Sequence, residues 1–112
     1  MAVEKRQKGR AVVTVRHVVV WRLVGESPEE KDTAFESVAG DLHALVGAIP
    51  GLTSLSVSRS TGPNPKNWDM CLISEHESWD ALDTYANHPA HLAVASRVAE
   101  VATERAGADF EL

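Results

Sequence analysis

Cysteine and long apolar segments are both scarce in this 112-residue sequence. The single cysteine, Cys71, has no intramolecular partner for a disulfide, which is typical of proteins in a reducing compartment. The longest apolar runs are short ones such as residues 18–21, whereas a membrane-spanning helix needs about 20 apolar residues. The sequence therefore predicts a cytoplasmic protein with no transmembrane helix and no membrane as a partner.

Basic residues are in the minority, with 11 lysines and arginines against 16 acidic residues and a formal net charge of -5. Several of them fall within the first ten positions, namely Lys5, Arg6, Lys8 and Arg10. We predict that residues 1–10 form a mobile basic tail and that residues 11–112 form one domain. That domain is more acidic than the whole chain, and binding to phosphate backbones requires a cationic face. Nucleic acid is therefore excluded as the main partner.

Several motifs of enzyme chemistry are absent as well. The sequence has no glycine-rich phosphate loop and no Gly-x-Ser-x-Gly nucleophile elbow. His88 and His91 lie close together across Pro89, but no cysteine, aspartate or glutamate beside them completes a recognisable ligand set. We therefore expect no metal site in this chain.

The pattern of hydrophobic residues and turn formers predicts alternating strands and helices. Ser27 is an N-cap, followed by a proline and then by Glu30 three residues after the cap, so a helix begins there. His88-Pro89 separates two further helices, because the residue before a proline avoids helical geometry. The predicted elements are strand 12–24, helix 28–48, strands 52–60 and 68–75, a short helix after Ser78, helix 89–103 and strand 108–112. This order is typical of the α+β ferredoxin-like fold, in which a four-stranded antiparallel sheet carries helices on one face.

The first predicted strand carries valines on both of its faces. A strand with one face in water would have polar residues at every second position. Helices of the same chain can cover one face, and the sheet of a second subunit can cover the other. The sequence therefore predicts a homodimer.

His91 is the histidine whose position most favours a functional role. On the last helix it shares a face with Ala95, Val98 and Ala102, and these small neighbours can leave space beside the imidazole. An imidazole that lines such a space can titrate near neutral pH. The alternative is a core histidine that hydrogen-bonds to a backbone carbonyl.

Tyr85 lies on the preceding helix, on the side that it shares with Leu82, and can reach the same space. A phenol beside a neutral imidazole is suited to proton removal next to a carbonyl, with the imidazole accepting the proton and the phenol stabilising the enolate. The alternative is a core aromatic residue whose hydroxyl lies at the rim.

The positions of the other histidines and of the tryptophans in the predicted elements indicate a role for each of them. His17 shares a strand face with Val19 and Trp21, so it either orients a ligand or satisfies a local polar network. We expect His43 and His76 to be solvated. Trp21, Trp68 and Trp79 are predicted to be core or interface anchors, because no basic cluster is interleaved with them.

Three segments resemble the stress-responsive A/B barrel (Dabb) family: residues 17–23, residues 49–52 and above all the Tyr-x-x-His-Pro-x-His signature of residues 85–91. The resemblance implies a dimeric α+β barrel that needs no organic cofactor. In a plant member that closes a polyketide by aldol chemistry, the catalytic tyrosine and histidine would match Tyr85 and His91, and a pocket histidine would match His17. Trp21, Trp79 and His88 are expected to contact a ligand in the same pocket.

Two functions of different classes follow from these expectations. The first is the binding of a small apolar or aromatic molecule in a pocket between the sheet and the helices. The second is a cofactor-free cyclase or lyase acting on a carbonyl or polyketide-like substrate, with His91 as general base and Tyr85 as enolate stabiliser. Fold analogy alone suggests a third, an oxygen-dependent monooxygenase.

Overall fold

The computed structural model describes residues 13–112, so the mobile tail predicted for residues 1–10 lies outside the described residues. The elements are β1 (Val15–Leu23), α1 (Pro28–His43), β2 (Leu52–Arg59), β3 (Met70–His76), α2 (Trp79–Asn87), α3 (Pro89–Val101) and β4 (Ala102–Glu111). Their order is the one that the hydrophobic pattern predicts.

The four strands form one antiparallel sheet in the order β2-β3-β1-β4. The central strand β1 pairs with β3, where Val19 lies opposite Leu72, and with β4, where Val19 lies opposite Gly107. The helices contribute to a single core that contains the inward residues of the sheet. The prediction of a ferredoxin-like α+β fold with helices on one face is confirmed.

The start of α1 is set by local chemistry. The Ser27 hydroxyl accepts a hydrogen bond from the Glu30 amide, and the Glu30 carboxylate accepts one from the Ser27 amide, which completes the predicted capping box. The helix ends at His43, earlier than the predicted residue 48. Gly47 adopts a φ of +89°, which breaks helical geometry, and Ile49 is buried from a turn rather than from the helix.

Strand β4 is the element that differs most from the prediction. It begins at Ala102 instead of residue 108, and α3 consequently ends at Val101 instead of residue 103. The reason is tertiary, since β4 pairs with β1 along almost its whole length, from Glu111 opposite Val15 to Ala102 opposite Leu23. Its residues are largely exposed, so no apolar alternation marks the strand in the sequence.

The two faces of the sheet have different surroundings. On the helical face, Val15, Val19 and Leu23 of β1 are buried in the core. On the opposite face, no helix of the described chain covers Val18, and Ile73 of β3 and Phe110 of β4 are 39% and 43% exposed. Among residues 13–112 there is no helix with the length and apolar character needed to cross a membrane.

Candidate functional site

A cavity of about 290 Å³ lies between α3 and the helical face of the sheet. Its wall is mainly apolar and comes from the sheet, from α1 and from α3: Val19, Trp21, Leu42, Leu72, Ala95, Val98, Ala99 and Ala102. Six polar residues also line it, namely His17, Tyr85, His91, Thr103, Glu104 and Arg105. The predicted space beside His91, Ala95, Val98 and Ala102 is therefore present.

Four aromatic rings form a contiguous group, and three of them, His17, Tyr85 and His91, line this cavity. The centroid of the Tyr85 ring lies 4.4 Å from that of His91, 4.8 Å from that of His76 and 5.9 Å from that of His17. The signature on α2 and α3 supplies two rings, and β1 and β3 supply the other two. The fold thus brings together three of the six candidate residues, His17, Tyr85 and His91, and adds His76.

His91 is held in one tautomer by the backbone. Its Nδ1 lies 3.2 Å from the carbonyl oxygen of Ala86, and because a carbonyl only accepts, Nδ1 carries the proton. Burial lowers the pKa of the His91 imidazole, and this effect is opposed by the hydrogen bond to Ala86 and reinforced by His17 and Arg105. At neutral pH the ring is uncharged and its Nε2 lone pair can accept a proton. His91 combines the two predicted features, a bond to a backbone carbonyl and a place in the cavity wall.

Tyr85 is a neutral hydrogen-bond donor in this environment. The residue is only 2% exposed, and burial raises the pKa of its phenol to about 12, with Arg105 acting in the opposite direction. Its ring packs between the imidazoles of His76 and His91. The phenol therefore keeps its proton at neutral pH and can donate it in a hydrogen bond to an oxygen on a ligand.

His17 is oriented by an acidic residue of the neighbouring strand. Its Nδ1 lies 2.5 Å from Oδ1 of Asp109, the residue directly opposite it in the β1-β4 pair. A carboxylate accepts hydrogen bonds, so Nδ1 of His17 donates to Asp109. The second ring nitrogen, Nε2, is then available to interact with other groups. Asp109 was not singled out from the sequence, because its position opposite His17 depends on the long β4 pairing.

The prediction that His76 is solvated is wrong. The residue is 0% exposed, and its Nε2 lies 2.9 Å from the hydroxyl oxygen of Ser74. Burial lowers the pKa of His76 to about 4, and His17 and His91 add to the shift against the opposing charge of Asp109. Strand β3 continues through His76, and its alternation of Met70, Leu72, Ser74 and His76 points inward. That alternation is the sequence signal that identifies this residue. His43, in contrast, is exposed as predicted.

Two of the residues expected in the pocket lie elsewhere. Trp79 is 45% exposed, and its indole Nε1 donates to Oε2 of Glu111 at 2.7 Å, because the first turn of α2 faces the end of β4. The Nδ1 atom of His88 accepts a hydrogen bond from the Ala90 amide at 3.0 Å and so caps α3. Neither residue is part of the cavity wall, whereas Trp21 is.

Trp68 and Cys71, the remaining residues that the sequence analysis considered for chemistry, lie outside the cavity wall. Trp68 stacks under the guanidinium of Arg22, 4.9 Å from the ring centroid, and is half-buried. Cys71 is a free, half-buried thiol in β3. Within the described part of the chain, no three His, Cys, Asp or Glu side chains are grouped so that they could hold a metal ion.

Comparison with known proteins places this geometry in a family. The family model described as "Stress responsive A/B Barrel Domain" (Dabb) matches residues 15–112. No curated protein matches the sequence.

Solved structures show the same fold. A dimeric protein of ferredoxin-like fold from Bacteroides fragilis is 31% identical, with 88% of this chain and 96% of that chain covered and a TM-score of 0.78. A dimeric ferredoxin-like protein from Thermobifida fusca is 25% identical, with 89% and 92% covered and a TM-score of 0.76. A hydroxynitrile lyase from Passiflora edulis shares the fold at 14% identity, with 88% and 93% covered and a TM-score of 0.74. The chain described here belongs to the stress-responsive A/B barrel (Dabb) domain family.

Proposed function

We propose that this protein is a homodimer that binds a small apolar or aromatic molecule in the cavity between α3 and the sheet. The observation that carries the proposal is the combination of a mainly apolar wall with a few polar side chains, among them His17, Tyr85 and His91. Ligand sites in proteins commonly have this composition, and a volume near 290 Å³ is at the small end of their range. The expected ligand is therefore a compact molecule of one or two rings.

The dimer part of the proposal rests on the uncovered face of the sheet. Val18 and Val20 of β1 point to that face, and Ile73 and Phe110 extend the apolar surface onto the neighbouring strands. An apolar sheet face of this kind is stabilised by packing against a second sheet. The structural relatives from Bacteroides fragilis and Thermobifida fusca are both described as dimeric. The single free cysteine accords with a cytoplasmic location, which stays a prediction.

Calorimetric titration of the purified protein with indole, acetophenone and benzoate tests the binding proposal. Ala95→Leu adds bulk to the cavity wall and should abolish binding, because the extra carbons occupy the space of the ligand. Ala93→Leu, on the exposed side of the same helix, is the matched control and should bind like the parent protein. Equal binding by both variants, or no binding of any probe by the parent protein, would contradict the proposal.

A second candidate function is a cofactor-free cyclase or lyase, and the geometry of the His91-Tyr85 pair favours it. Nε2 of His91 would remove the proton from the carbon next to a carbonyl, and the electron pair of that C–H bond would move onto the carbonyl oxygen. The Tyr85 phenol would hydrogen-bond to the resulting enolate oxygen. The enolate carbon then attacks a second carbonyl in a cyclisation, and the protonated imidazole returns its proton to the new alkoxide.

Two likenesses support this second candidate. The Tyr-x-x-His-Pro-x-His segment resembles that of olivetolic acid cyclase, and this resemblance implies that Tyr85 and His91 would match its catalytic tyrosine and histidine and that His17 would match a pocket histidine. The hydroxynitrile lyase from Passiflora edulis has the same fold, which by itself says only that a lyase can be built on such a scaffold.

Exchange of the methyl protons of acetophenone in D2O, followed by proton NMR, tests the enzyme candidate without knowledge of the natural substrate. The parent protein should accelerate exchange, and His91→Ala should abolish the acceleration while the dimer stays intact. His43→Ala, which removes an exposed imidazole of α1, should leave the exchange rate unchanged. Equal rates for the His91 and His43 variants would contradict a role of His91 as the base. Loss of the dimer in His91→Ala would favour a structural role.

A further inference from the structure

Arg105 is a cavity residue to which the proposed function assigns no role. It lies on β4 opposite Trp21, and both side chains line the cavity. Gly107, two residues further along the same face of β4, lies opposite Val19. A Cβ atom placed on Gly107 would lie 3.5 Å from Nη1 and 3.6 Å from Nη2 of Arg105. The guanidinium therefore lies over Gly107 on the cavity face of the sheet. A side chain at position 107 would occupy part of the space that the guanidinium fills.

The charge of Arg105 has no acidic partner within the described part of the chain. The neighbouring carboxylates are engaged elsewhere, since Glu104 pairs with Arg22 at 2.7 Å and Asp109 pairs with His17 at 2.5 Å. A guanidinium is permanently charged and carries five N–H donors in a planar fork. Of the two charged residues that line the cavity, Glu104 is therefore paired with Arg22, and the positive charge of Arg105 is left to interact with a ligand.

The positive charge of Arg105 affects the pKa values of two residues in the group of aromatic rings, Tyr85 and His91. The positive charge of Arg105 lowers the pKa of Tyr85 and that of His91, against the raising effect of burial in the first case and in addition to burial in the second. Because Arg105, Tyr85 and His91 line the same cavity, one bound molecule can contact the guanidinium and both rings.

We propose that the ligand of this cavity is an organic acid, a compact aromatic molecule whose carboxylate binds the Arg105 guanidinium over Gly107. This inference rests on the proposed binding function and adds the ligand's charge and orientation to it. The two carboxylate oxygens match the two terminal nitrogens of the guanidinium in a bidentate pair. The apolar body then lies against Trp21 and Val98, with its far side toward the Tyr85 and His91 rings.

Benzoate and benzamide are the probes that isolate the charge, because they are planar molecules of nearly equal size and only benzoate is anionic. In calorimetric titrations the parent protein should bind benzoate at least about tenfold more tightly than benzamide, and added salt should reduce this preference. Arg105→Gln should remove the preference, so that benzoate and benzamide bind this variant with similar affinity. Arg105→Lys, which keeps the charge but loses the fork, should keep part of the preference.

Arg97→Gln is the matched control, because it removes an arginine of α3 that pairs with Asp41 outside the cavity. This variant should keep the full preference for benzoate. Equal binding of benzoate and benzamide by the parent protein, or an unchanged preference in Arg105→Gln, would overturn the inference while leaving the proposed binding function intact. Failure of benzoate to bind while indole binds would overturn the inference in the same way. Failure of every probe would overturn both.

Discussion

The hydrogen bond between His91 and Ala86 determines which nitrogen of the imidazole can act as a base. It fixes the proton on Nδ1, and burial keeps the ring uncharged by lowering its pKa. The neighbouring Tyr85 is kept protonated by the same burial, since its pKa is raised to about 12. One apolar environment thus produces an acceptor and a donor side by side, which is the combination that enolate chemistry requires.

The buried His76 predicts a pH-dependent stability. Burial lowers its pKa in the folded protein from the ordinary value of 6.5 to about 4, so the unfolded chain binds a proton in this range and the folded protein does not. The stabilisation is complete above the unfolded pKa and is lost as the pH falls through this range, by up to about 3 kcal/mol. The lowered pKa of His91 acts in the same direction. Urea unfolding at several pH values between the two pKa values measures this loss.

Two variants separate His76 from the other titrating groups. His76→Gln removes the titrating imidazole and should reduce the slope of stability against pH to the part that His91 and the other groups contribute, whatever its effect on stability at neutral pH. His43→Gln removes an exposed imidazole and should retain the slope of the parent protein. A parent protein whose stability stays constant across this range would contradict the account of His76.

The Tyr85 hydroxyl is predicted to matter more for the ligand than for folding. Among the described residues it has no hydrogen-bond partner, while its ring packs against His76 and His91. Tyr85→Phe should therefore change the free energy of unfolding by less than about 1 kcal/mol but lower the rate of acetophenone proton exchange by about 100-fold. Chemical denaturation and the exchange assay measure the two effects. A large loss of stability with unchanged exchange would contradict this assignment.

The sequence predicts those residues of the candidate site that lie on the apolar face of a regular strand or helix. His17 falls on the apolar face of β1, and Tyr85 and His91 fall on the apolar faces of their helices. His76 was missed because the predicted strand stopped at residue 75, which left the histidine outside the alternation. Arg105 could not be found, because only pairing of β4 with β1 places it over the cavity.

At the scale of elements, the junction between α2 and α3 is a structural device as well as a source of site residues. His88 ends α2 in extended geometry, and its side chain caps α3 before Pro89 fixes the first turn. The junction orients α2 and α3 so that the Tyr85 and His91 rings meet. The histidine of the His-Pro pair therefore acts through the backbone, which explains its absence from the cavity wall.

The cap assignment of His88 has a specific consequence for stability. His88→Ala should lower the free energy of unfolding by about 1 kcal/mol, because the Ala90 amide loses its acceptor. His88→Asn restores a capping acceptor and should recover most of this loss. Chemical denaturation of the three proteins tests the assignment. Equal stabilities for the alanine and asparagine variants would contradict it.

The elements themselves differ in how strongly the sequence specifies them. The Ser27 capping box and the valines of β1 are local signals, and both elements begin close to where they were expected. Strand β4 carries polar residues on both faces and is stabilised by its ladder to β1, a contact between distant parts of the chain. Local pattern therefore predicted only its last residues.

At the scale of the whole molecule, the helices cover one face of the sheet, and the other face is left with an apolar surface around Val18 and Ile73. The double-sided apolar pattern of β1 already indicated this arrangement. Its explanation as a dimer interface accords with the dimeric relatives of the same fold. The cavity lies on the helical side of the sheet, so dimer formation and ligand binding are expected to be separable by mutation.

Val18→Glu tests the dimer directly. A glutamate at the centre of the uncovered face would be buried without a partner between two sheets, so the variant should be a monomer of about 12 kDa with the same helical content. Light scattering coupled to size exclusion measures the mass, and circular dichroism checks the fold. Ala93→Glu, on the exposed side of α3, should remain dimeric like the parent protein. Two variants of equal mass would contradict the proposed interface.

NMR of the His91 imidazole tests whether this residue lines a cavity that binds a ligand. Ring nitrogen and carbon signals would be followed against pH, with and without indole, acetophenone and benzoate. We expect the Nδ1-protonated tautomer, a pKa below the ordinary value of 6.5, and shifts of the Nε2 signal when a ligand binds. Signals that respond neither to pH nor to any of the three molecules would contradict the claim and make His91 a structural residue.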